Sequence, residues 1–303
     1  MTTVTEVIDT FFDLLQRERT AGYTPKERQI YNIFLDGLDL DDKLSLHAKK
    51  ANYIKTFSKI HEHIDFSRPN VLVDAGCGIG HQAIIFSLLG IQNIVAVDLC
   101  QERLELAEKR RIFFQKEFNL TLQIQFLNDD IFRILSTLHP DIVFCKDSIS
   151  HIHPLETFVH NVSQLMRSGG LFIIEEPNLY HPKIMYHVMR QYYRETGKFH
   201  FYMTEVINPA TGIRVLQAEE RMIPMHTMQK MLRLNNLICV NRSRCGGWLV
   251  PKSRISSLYR RNPLKAMRLL QILERAVERI PICNIFFGAY LLIGKKAILP
   301  VHQ

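Results

Sequence analysis

The chain has 303 residues, of which 47% are hydrophobic and 22% are charged, and its formal net charge is +8. This composition is typical of a globular protein, and no run of about 18 or more apolar residues predicts a membrane-spanning helix. The six cysteines form no C-x-x-C pair, so neither a zinc site nor a disulfide framework is indicated. The N-terminus lacks the basic start of a signal peptide. We therefore expect a cytoplasmic location and no metal.

Three helices are predicted ahead of the first strand. Apolar residues recur at helical spacing over Thr2–Glu18. Thr24–Glu27 (TPKE) combines an N-cap, a proline at the first helical position and a capping box, which indicates a second helix that ends near Gly37. A third is predicted over Asp41–His63. Because these helices precede the sheet, they lie outside its βα alternation, and we expect residues 1–68 to form an N-terminal helical cap.

Residues 71–80 (VLVDAGCGIG) predict a strand followed by a glycine-rich turn. The first three residues are apolar and rich in β-branched side chains, which is typical of a strand buried on both faces. Gly76, Gly78 and Gly80 let the backbone turn tightly and approach a ligand without a Cβ in the way. A helix is predicted over His81–Leu89, and its first unpaired N–H groups point back at the turn. This is the first unit of a nucleotide-binding α/β sheet.

The spacing of these glycines separates two cofactor classes. Dinucleotide enzymes have G-x-G-x-x-G and room for a pyrophosphate. Here the glycines run G-x-G-x-G, and the carboxylate of Asp74 within the turn suits a cationic ligand. The stretch resembles motif I of the class I S-adenosylmethionine-dependent methyltransferases, D-x-G-x-G-x-G, matched by Asp74, Gly76, Gly78 and Gly80. The resemblance implies a Rossmann-like α/β fold, with a seven-stranded sheet that is mostly parallel and has an antiparallel last strand, and S-adenosyl-L-methionine as cofactor.

Acidic residues follow the next two predicted strands. The strand over 94–99 carries Asp98, at the place where a ribose hydroxyl pair would lie, although a helix N-cap is the alternative. A third strand is predicted over 121–127. The resemblance implies that Asp130, just beyond it, binds the adenine amino group while the next backbone N–H reaches a ring nitrogen. Its neighbour Asp129 could substitute for it.

The fourth strand, predicted over 141–145, runs into the sequence KDSISHIH. The resemblance implies that the backbone of Lys146 contacts the methionine part of the cofactor and that His151 aligns with a histidine often present there. A fifth strand is predicted over 171–175. The predicted cofactor-binding residues are Asp74, Gly76, Cys77, Gly78, Gly80, Asp98, Leu99, Asp129, Asp130, Ile131 and Lys146.

The rest of the chain is less regular. The resemblance implies a methyltransferase domain over 69–303, with 178–235 and 248–284 as additions on the substrate side. It also implies that the last strand inserts antiparallel between strands five and six. The elements predicted here are helices over 180–197, 222–235 and 263–280 and strands over 237–243 and 285–294.

Methyl transfer from a sulfonium is an in-line displacement, in which the protein mainly aligns the nucleophile. A base is needed only when the acceptor carries a hydroxyl, a protonated amine or an acidic carbon. His151, His153, His181 and Glu176 are candidate bases, because all lie at or just after the ends of strands four and five. We favour His151 as the catalytic residue, since histidine titrates near neutrality. A histidine that only bonds the backbone is the alternative.

The absence of one sequence motif narrows the class of acceptor. Relatives that methylate nucleobase amino groups carry D/N-P-P-Y/F after strand four, where this chain has KDSI, so a nucleic acid partner is not expected. Cys145 lies inside the fourth strand and is predicted to be core. We therefore expect a small or medium-sized organic acceptor with an O, N or C nucleophile and an apolar body. An NAD-dependent oxidoreductase and a non-catalytic binding module for S-adenosylmethionine are the alternatives, and a homodimer is left open.

Basic residues are concentrated near the end of the chain. From Lys252 onward the sequence contains ten Lys or Arg and two acidic residues, Glu274 and Glu278. This region is interpreted either as a solvated helix face or as a surface that meets an anionic acceptor, nucleic acid or membrane.

Overall fold

A computed structural model gives the architecture of the chain. The residues that it describes are 3–34, 43–178, 180–181, 186, 203–207, 214–218, 223–245, 259, 261–262, 265–266, 268–269, 272 and 287–297. Helices were predicted over 180–197 and 263–280, and most residues of both ranges lie outside the described residues.

The described helices include those predicted over 2–18, 24–37, 41–63, 81–89 and 222–235, whereas the helix Ile131–Thr137 was not predicted. Within the described residues the helices are α1 (Val4–Glu18), α2 (Pro25–Phe34), α3 (Lys43–His61), α4 (His81–Leu88), α5 (Gln101–Phe118), α6 (Ile131–Thr137), α7 (Leu155–Leu165) and α8 (Met225–Leu234). The capping box predicted for α2 is present, because the N–H of Glu27 donates to the Thr24 hydroxyl at 3.3 Å and the N–H of Thr24 donates to the Glu27 carboxylate at 2.8 Å.

The strands form one large sheet and one hairpin. They are β1 (Val71–Ala75), β2 (Asn93–Asp98), β3 (Ile124–Asn128), β4 (Ile142–Lys146), β5 (Leu171–Pro177), β6 (Met203–Ile207), β7 (Arg214–Ala218), β8 (Leu237–Cys245) and β9 (Ala289–Lys296). The sheet has seven strands in the order β3-β2-β1-β4-β5-β9-β8. Strands β1 to β5 are parallel, and β9 runs antiparallel to both β5 and β8.

This topology confirms the predicted mostly parallel sheet with an antiparallel last strand. That strand, β9, is inserted between β5 and β8, which are the fifth and sixth strands of the sheet in chain order. The third strand begins at Ile124 rather than at Thr121. The β6–β7 hairpin was not predicted. Its two strands have only five residues each, and they pair with one another instead of joining the large sheet.

The core lies on both faces of the sheet. Successive strand residues point to opposite faces, so that Leu72 joins one apolar cluster and Val73 the other. The first cluster includes residues of α1, α3, α4 and α5, and the second includes residues of α6, α7 and α8. Two covered faces explain why the parallel strands are almost continuously apolar. The N-terminal helices thus extend one of the two helical layers.

Candidate functional site

The glycine loop joins β1 to α4 at the carboxyl edge of the sheet. Gly76, Gly78 and Gly80 have φ values of 75°, 54° and 70°. A Cβ on Gly76 would lie 2.6 Å from Cβ of Ser148, and one on Gly80 would lie 2.8 Å from the ring of Phe126. Glycine is therefore required at both positions for conformation and for space. The loop is tightly packed in this shape, with Gly76 exposed and residues 77–80 buried.

Asp74 is a buried carboxylate next to this loop. Its side chain is 2% exposed, and Oδ2 has no hydrogen-bond partner among the described residues. Burial, together with the nearby Asp98, raises the pKa of Asp74 to about 7. Buried polar atoms in native proteins are almost always satisfied. An unsatisfied carboxylate oxygen beside a glycine loop therefore fits a ligand that brings a cationic donor.

Asp98 ends β2 on the other side of the loop. Its carboxylate accepts hydrogen bonds from the N–H of Gly78 at 2.9 Å and of Cys100 at 2.8 Å. The guanidinium of Arg103 lies 3.7 Å away. The N-cap of α5 is Cys100, so Asp98 does not itself occupy the N-cap position. The structure thus brings Asp98 to the glycine loop, and the ribose contact stays a prediction.

The two acidic residues after β3 have different surroundings. Asp130 is the N-cap of α6, and its carboxylate accepts from the N–H of Phe132 at 3.0 Å. Asp129 is buried, and it accepts from the N–H of Asp130 at 2.7 Å and from Nε of Arg133 at 2.8 Å. Both carboxylates lie at the carboxyl end of β3, and the adenine contact stays a prediction.

The remaining predicted cofactor residues are placed as follows. Cys77 is buried within the glycine loop, and its Sγ lies 3.8 Å from the carbonyl oxygen of Gly78. Leu99 is half-buried directly after β2, and Ile131 is the buried first residue of α6. All three therefore lie at strand ends on the same edge as Asp74.

Lys146 is the last residue of β4 and lies close to α3. Its ammonium pairs with Glu175 of β5 and lies 5.5 Å from the ring centroid of Tyr53. Burial disfavours the charged form, but the carboxylates of Glu175 and Asp147 outweigh it and raise the pKa of Lys146 above its ordinary value. Burial raises the pKa of Tyr53 to about 12. The Lys146 side chain is therefore a charged, paired group at the strand ends.

Sequence reasoning missed Tyr53, although it lies on the buried face of α3 with Phe57 four residues later. The residues predicted to face inward are Ala51, Ile54, Phe57 and Ile60; the last two are buried, and the first two are half-buried. An aromatic pair at helical spacing is the signal that could have identified it.

His151 ends a single 3₁₀ turn, Ile149–His151, just after β4, and it is half-buried. Glu176 holds this turn in place. Its carboxylate accepts hydrogen bonds from the N–H groups of Ser148 at 2.8 Å and Ile149 at 2.9 Å. Burial and the charge of Asp147 raise the pKa of Glu176 to about 8. Of the candidate bases, Glu176 thus supports the turn, and His151 is on it.

A buried ion pair connects α1 and α5 to the glycine loop. Arg110 of α5 and Glu18 of α1 are both 0% exposed, and Nε of Arg110 lies 2.6 Å from Oε1 of Glu18. Arg110 also donates to the carbonyl oxygen of Ile79, in the loop, at 2.9 Å. The hydroxyls of Tyr23 and Tyr31 donate to the Glu18 carboxylate at 2.9 and 3.1 Å. Sequence reasoning missed this cluster, which no local pattern indicated.

The order of the seven strands and the glycine loop after β1 are those of the class I S-adenosylmethionine-dependent methyltransferases. A family model described as a methyltransferase domain matches residues 46–219, and the chain belongs to this family. Family membership confirms the predicted class and S-adenosyl-L-methionine as its cofactor.

Several known proteins resemble this chain. It is 30% identical to the ubiquinone biosynthesis O-methyltransferase of Rickettsia typhi over 129 residues, which are 43% of the chain and 49% of that protein. It is 22% identical to the sterol 24-C-methyltransferase of Pneumocystis carinii over 170 residues, or 53% of the chain and 44% of that protein. The chain spans about half the length of these curated relatives.

A crystal structure of magnesium protoporphyrin IX methyltransferase from Synechocystis PCC 6803 shares the fold. It has a TM-score of 0.51 and 12% identity, and the match covers 97% of this chain and 100% of that one. Among the described residues, we find no helix whose length and apolar character suffice to cross a membrane.

Proposed function

We propose that this chain transfers the methyl group of S-adenosylmethionine to a small or medium-sized organic acceptor through an O, N or C nucleophile. The observation that carries the proposal is the unsatisfied, buried Oδ2 of Asp74 beside the glycine loop, in a chain of the methyltransferase family. The methionine part of the cofactor carries an ammonium group, which is the kind of donor that this oxygen lacks. A carboxylate in this turn would repel the pyrophosphate of NAD, which disfavours an NAD-dependent oxidoreductase.

The residues that would hold the cofactor come from four strand ends. We assign the backbone of the glycine loop and Asp74 to the methionine part, Asp98 to the ribose, and Asp130 with its neighbour Asp129 to the adenine. The backbone of Lys146 also faces the methionine part in this assignment. When bound, the cofactor supplies a methyl group on a positively charged sulfur, whose departure as a thioether requires no proton.

The chain's own residues then align the acceptor and handle its proton. His151 takes a proton from a hydroxyl or amine acceptor, while Glu176 fixes the turn that carries it through two backbone hydrogen bonds. Tyr53 and the Lys146–Glu175 pair form a polar patch at the strand ends beneath α3.

The finer predictions about the acceptor and the assembly are proposals as well. The names of two relatives concern ubiquinone biosynthesis and a sterol, which supports an organic acceptor with an apolar body. We also propose that the acceptor has an anionic group, that the protein forms a homodimer and that it is located in the cytoplasm.

Isothermal calorimetry tests the cofactor assignment. We expect S-adenosylmethionine and S-adenosylhomocysteine to bind and NAD not to bind. Asp98→Ala removes charged hydrogen bonds to the ribose, so its affinity for the cofactor should fall roughly 10-fold or more. Tight binding of NAD without binding of S-adenosylmethionine would contradict the assignment. Methyl transfer to any member of an acceptor panel separates an enzyme from a binding module without catalysis.

The pH dependence of cofactor binding tests Asp74. In the free protein the pKa of Asp74 is about 7 rather than the usual 3.8, so its carboxyl group binds a proton as the pH falls through 7. A cationic ligand prefers the carboxylate, and its affinity should therefore fall by up to about tenfold for each pH unit below 7. The free energy of unfolding of the free protein should change in the opposite direction. It should rise as the pH falls from about 7 towards 3.8, because over this range the folded state keeps a proton that the unfolded state releases.

The control for this measurement is Asp74→Asn, which has no charge to titrate at this position. We expect weak binding with a flat dependence on pH in calorimetric titrations of the variant. Equal slopes for the variant and the wild type would assign the titration to another group.

A further inference from the structure

Charge is distributed unevenly along the chain. From Arg221 to Leu273 the sequence contains eleven Lys or Arg and no Asp or Glu. The whole chain has 38 basic and 30 acidic residues, so the residues outside this stretch have 27 basic and 30 acidic and sum to −3. The net positive charge of the protein therefore comes from one stretch, and that stretch includes α8 and β8.

Helix α8 turns its charged residues away from the core. Met225, Met228 and Leu232 are buried against the sheet. Lys230 and Arg233 are exposed on the other side, three residues apart and thus on the same face of the helix. The next residue, Leu234, is 69% exposed.

An open groove of about 730 Å³ runs between α8 and the start of β8. Its lining includes His226, Lys230 and Arg233 from the helix and Ile238 from the strand. Ile238 is 61% exposed, and none of the described lining residues has a carboxylate. We call Lys230, Arg233, Leu234 and Ile238 the α8–β8 face. It combines positive charge with large aliphatic side chains that are left in water.

The α8–β8 face lies away from the cofactor site. Strand β8 runs parallel to β1–β5, so its first residues are at the amino edge of the sheet, whereas the glycine loop is at the carboxyl edge. A partner on this face would therefore leave the catalytic cleft open, and changes to the face can be tested without disturbing catalysis.

We propose that the α8–β8 face docks on the surface of an anionic membrane. Basic side chains attract anionic headgroups, and exposed aliphatic side chains enter the boundary between headgroups and acyl chains. Nucleic acid would pair with the charges but would leave Leu234 and Ile238 in water. A second copy of the chain added to the edge of β8 would bring two strands together that each carry Arg242 and Arg244, and like charges on neighbouring strands repel.

Co-sedimentation with lipid vesicles tests the proposal. The vesicles contain either phosphatidylcholine alone or phosphatidylcholine mixed with phosphatidylserine. We expect binding to the mixed vesicles only, and weaker binding as salt screens the charges. Each basic residue near such a surface changes partitioning roughly fivefold, so Lys230→Gln/Arg233→Gln should lower it about 25-fold. Ile238→Ser should lower it roughly 10-fold, because the inserted aliphatic side chain is lost.

Helix α5 offers matched controls at the opposite edge of the sheet. Ile112 is 55% exposed, and Lys116, four residues later, is exposed as well. Lys116→Gln and Ile112→Ser repeat the same kinds of change and should leave vesicle binding unchanged. Thermal midpoints of all the variants report whether they remain folded.

Four outcomes would overturn the proposal. They are equal binding to both kinds of vesicle, no binding to either, equal losses in the α5 controls, and retention of DNA at a salt concentration where phosphatidylserine vesicles are not bound. Self-association that Ile238→Ser abolishes, without any vesicle binding, would instead assign the face to a second copy.

Discussion

Replacing Glu18 with alanine is expected to lower the free energy of unfolding by about 3–5 kcal/mol, because it leaves the buried guanidinium of Arg110 without its counter-charge. Both side chains are fully buried, so water cannot take the place of the carboxylate. The hydroxyls of Tyr23 and Tyr31 lose their acceptor at the same time. The measurement is chemical denaturation followed by circular dichroism.

The chain provides a control pair between the same two helices. Arg17 of α1 pairs with Glu117 of α5, but the Arg17 side chain is 64% exposed. Glu117→Ala should therefore change stability by only about 0–1 kcal/mol. The double variant Glu18→Leu/Arg110→Met, which removes both buried charges, should recover much of the loss. If Glu18→Ala matched Glu117→Ala, the buried pair would have no special role in stability.

Replacing His151 with asparagine is expected to lower kcat by at least about 100-fold, since general bases typically contribute 10²–10⁴-fold in rate. The residue follows β4 on a turn fixed by Glu176, so a substitution there leaves the sheet and the glycine loop in place. Cofactor affinity should hardly change, because the proton is removed on the acceptor side.

His153→Asn is the matched control for this prediction, because His153 is two residues further along and is also half-buried. We expect it to keep kcat within a few fold of the wild type, measured as methyl transfer at saturating cofactor. Normal turnover by His151→Asn would make this histidine structural, and alignment of the acceptor alone would then account for the rate.

The sheet and the cofactor edge could be predicted because their signals are local. A buried parallel strand is a short apolar run, and the residue that follows it lies at the carboxyl edge whatever the rest of the chain does. Asp74 and Asp98, which follow this rule, could be singled out from the sequence for this reason. The β6–β7 hairpin escaped prediction because two five-residue strands that support each other leave little pattern in the sequence.

Contacts between distant parts of the chain could not be predicted. Glu18 and Arg110 are 92 residues apart, and each looks like an ordinary surface residue of an amphipathic helix. The role of Glu176 was likewise not indicated, because it depends on backbone N–H groups 27 and 28 residues earlier. Burial of a charge is decided by tertiary packing, and a single sequence carries no direct record of it.

The position of β9 has a consequence for the order in which the protein assembles during synthesis. Strands β1 to β5 emerge from the ribosome first, and each of β2 to β5 can pair with a neighbour that has already been made. The edge of β5 stays open until residues 289–296 have been added, and β8 has no partner in the sheet before then. An open edge strand is a template for pairing with other chains. The edge of β5 in the nascent protein is therefore unprotected while residues 178–288 are being made.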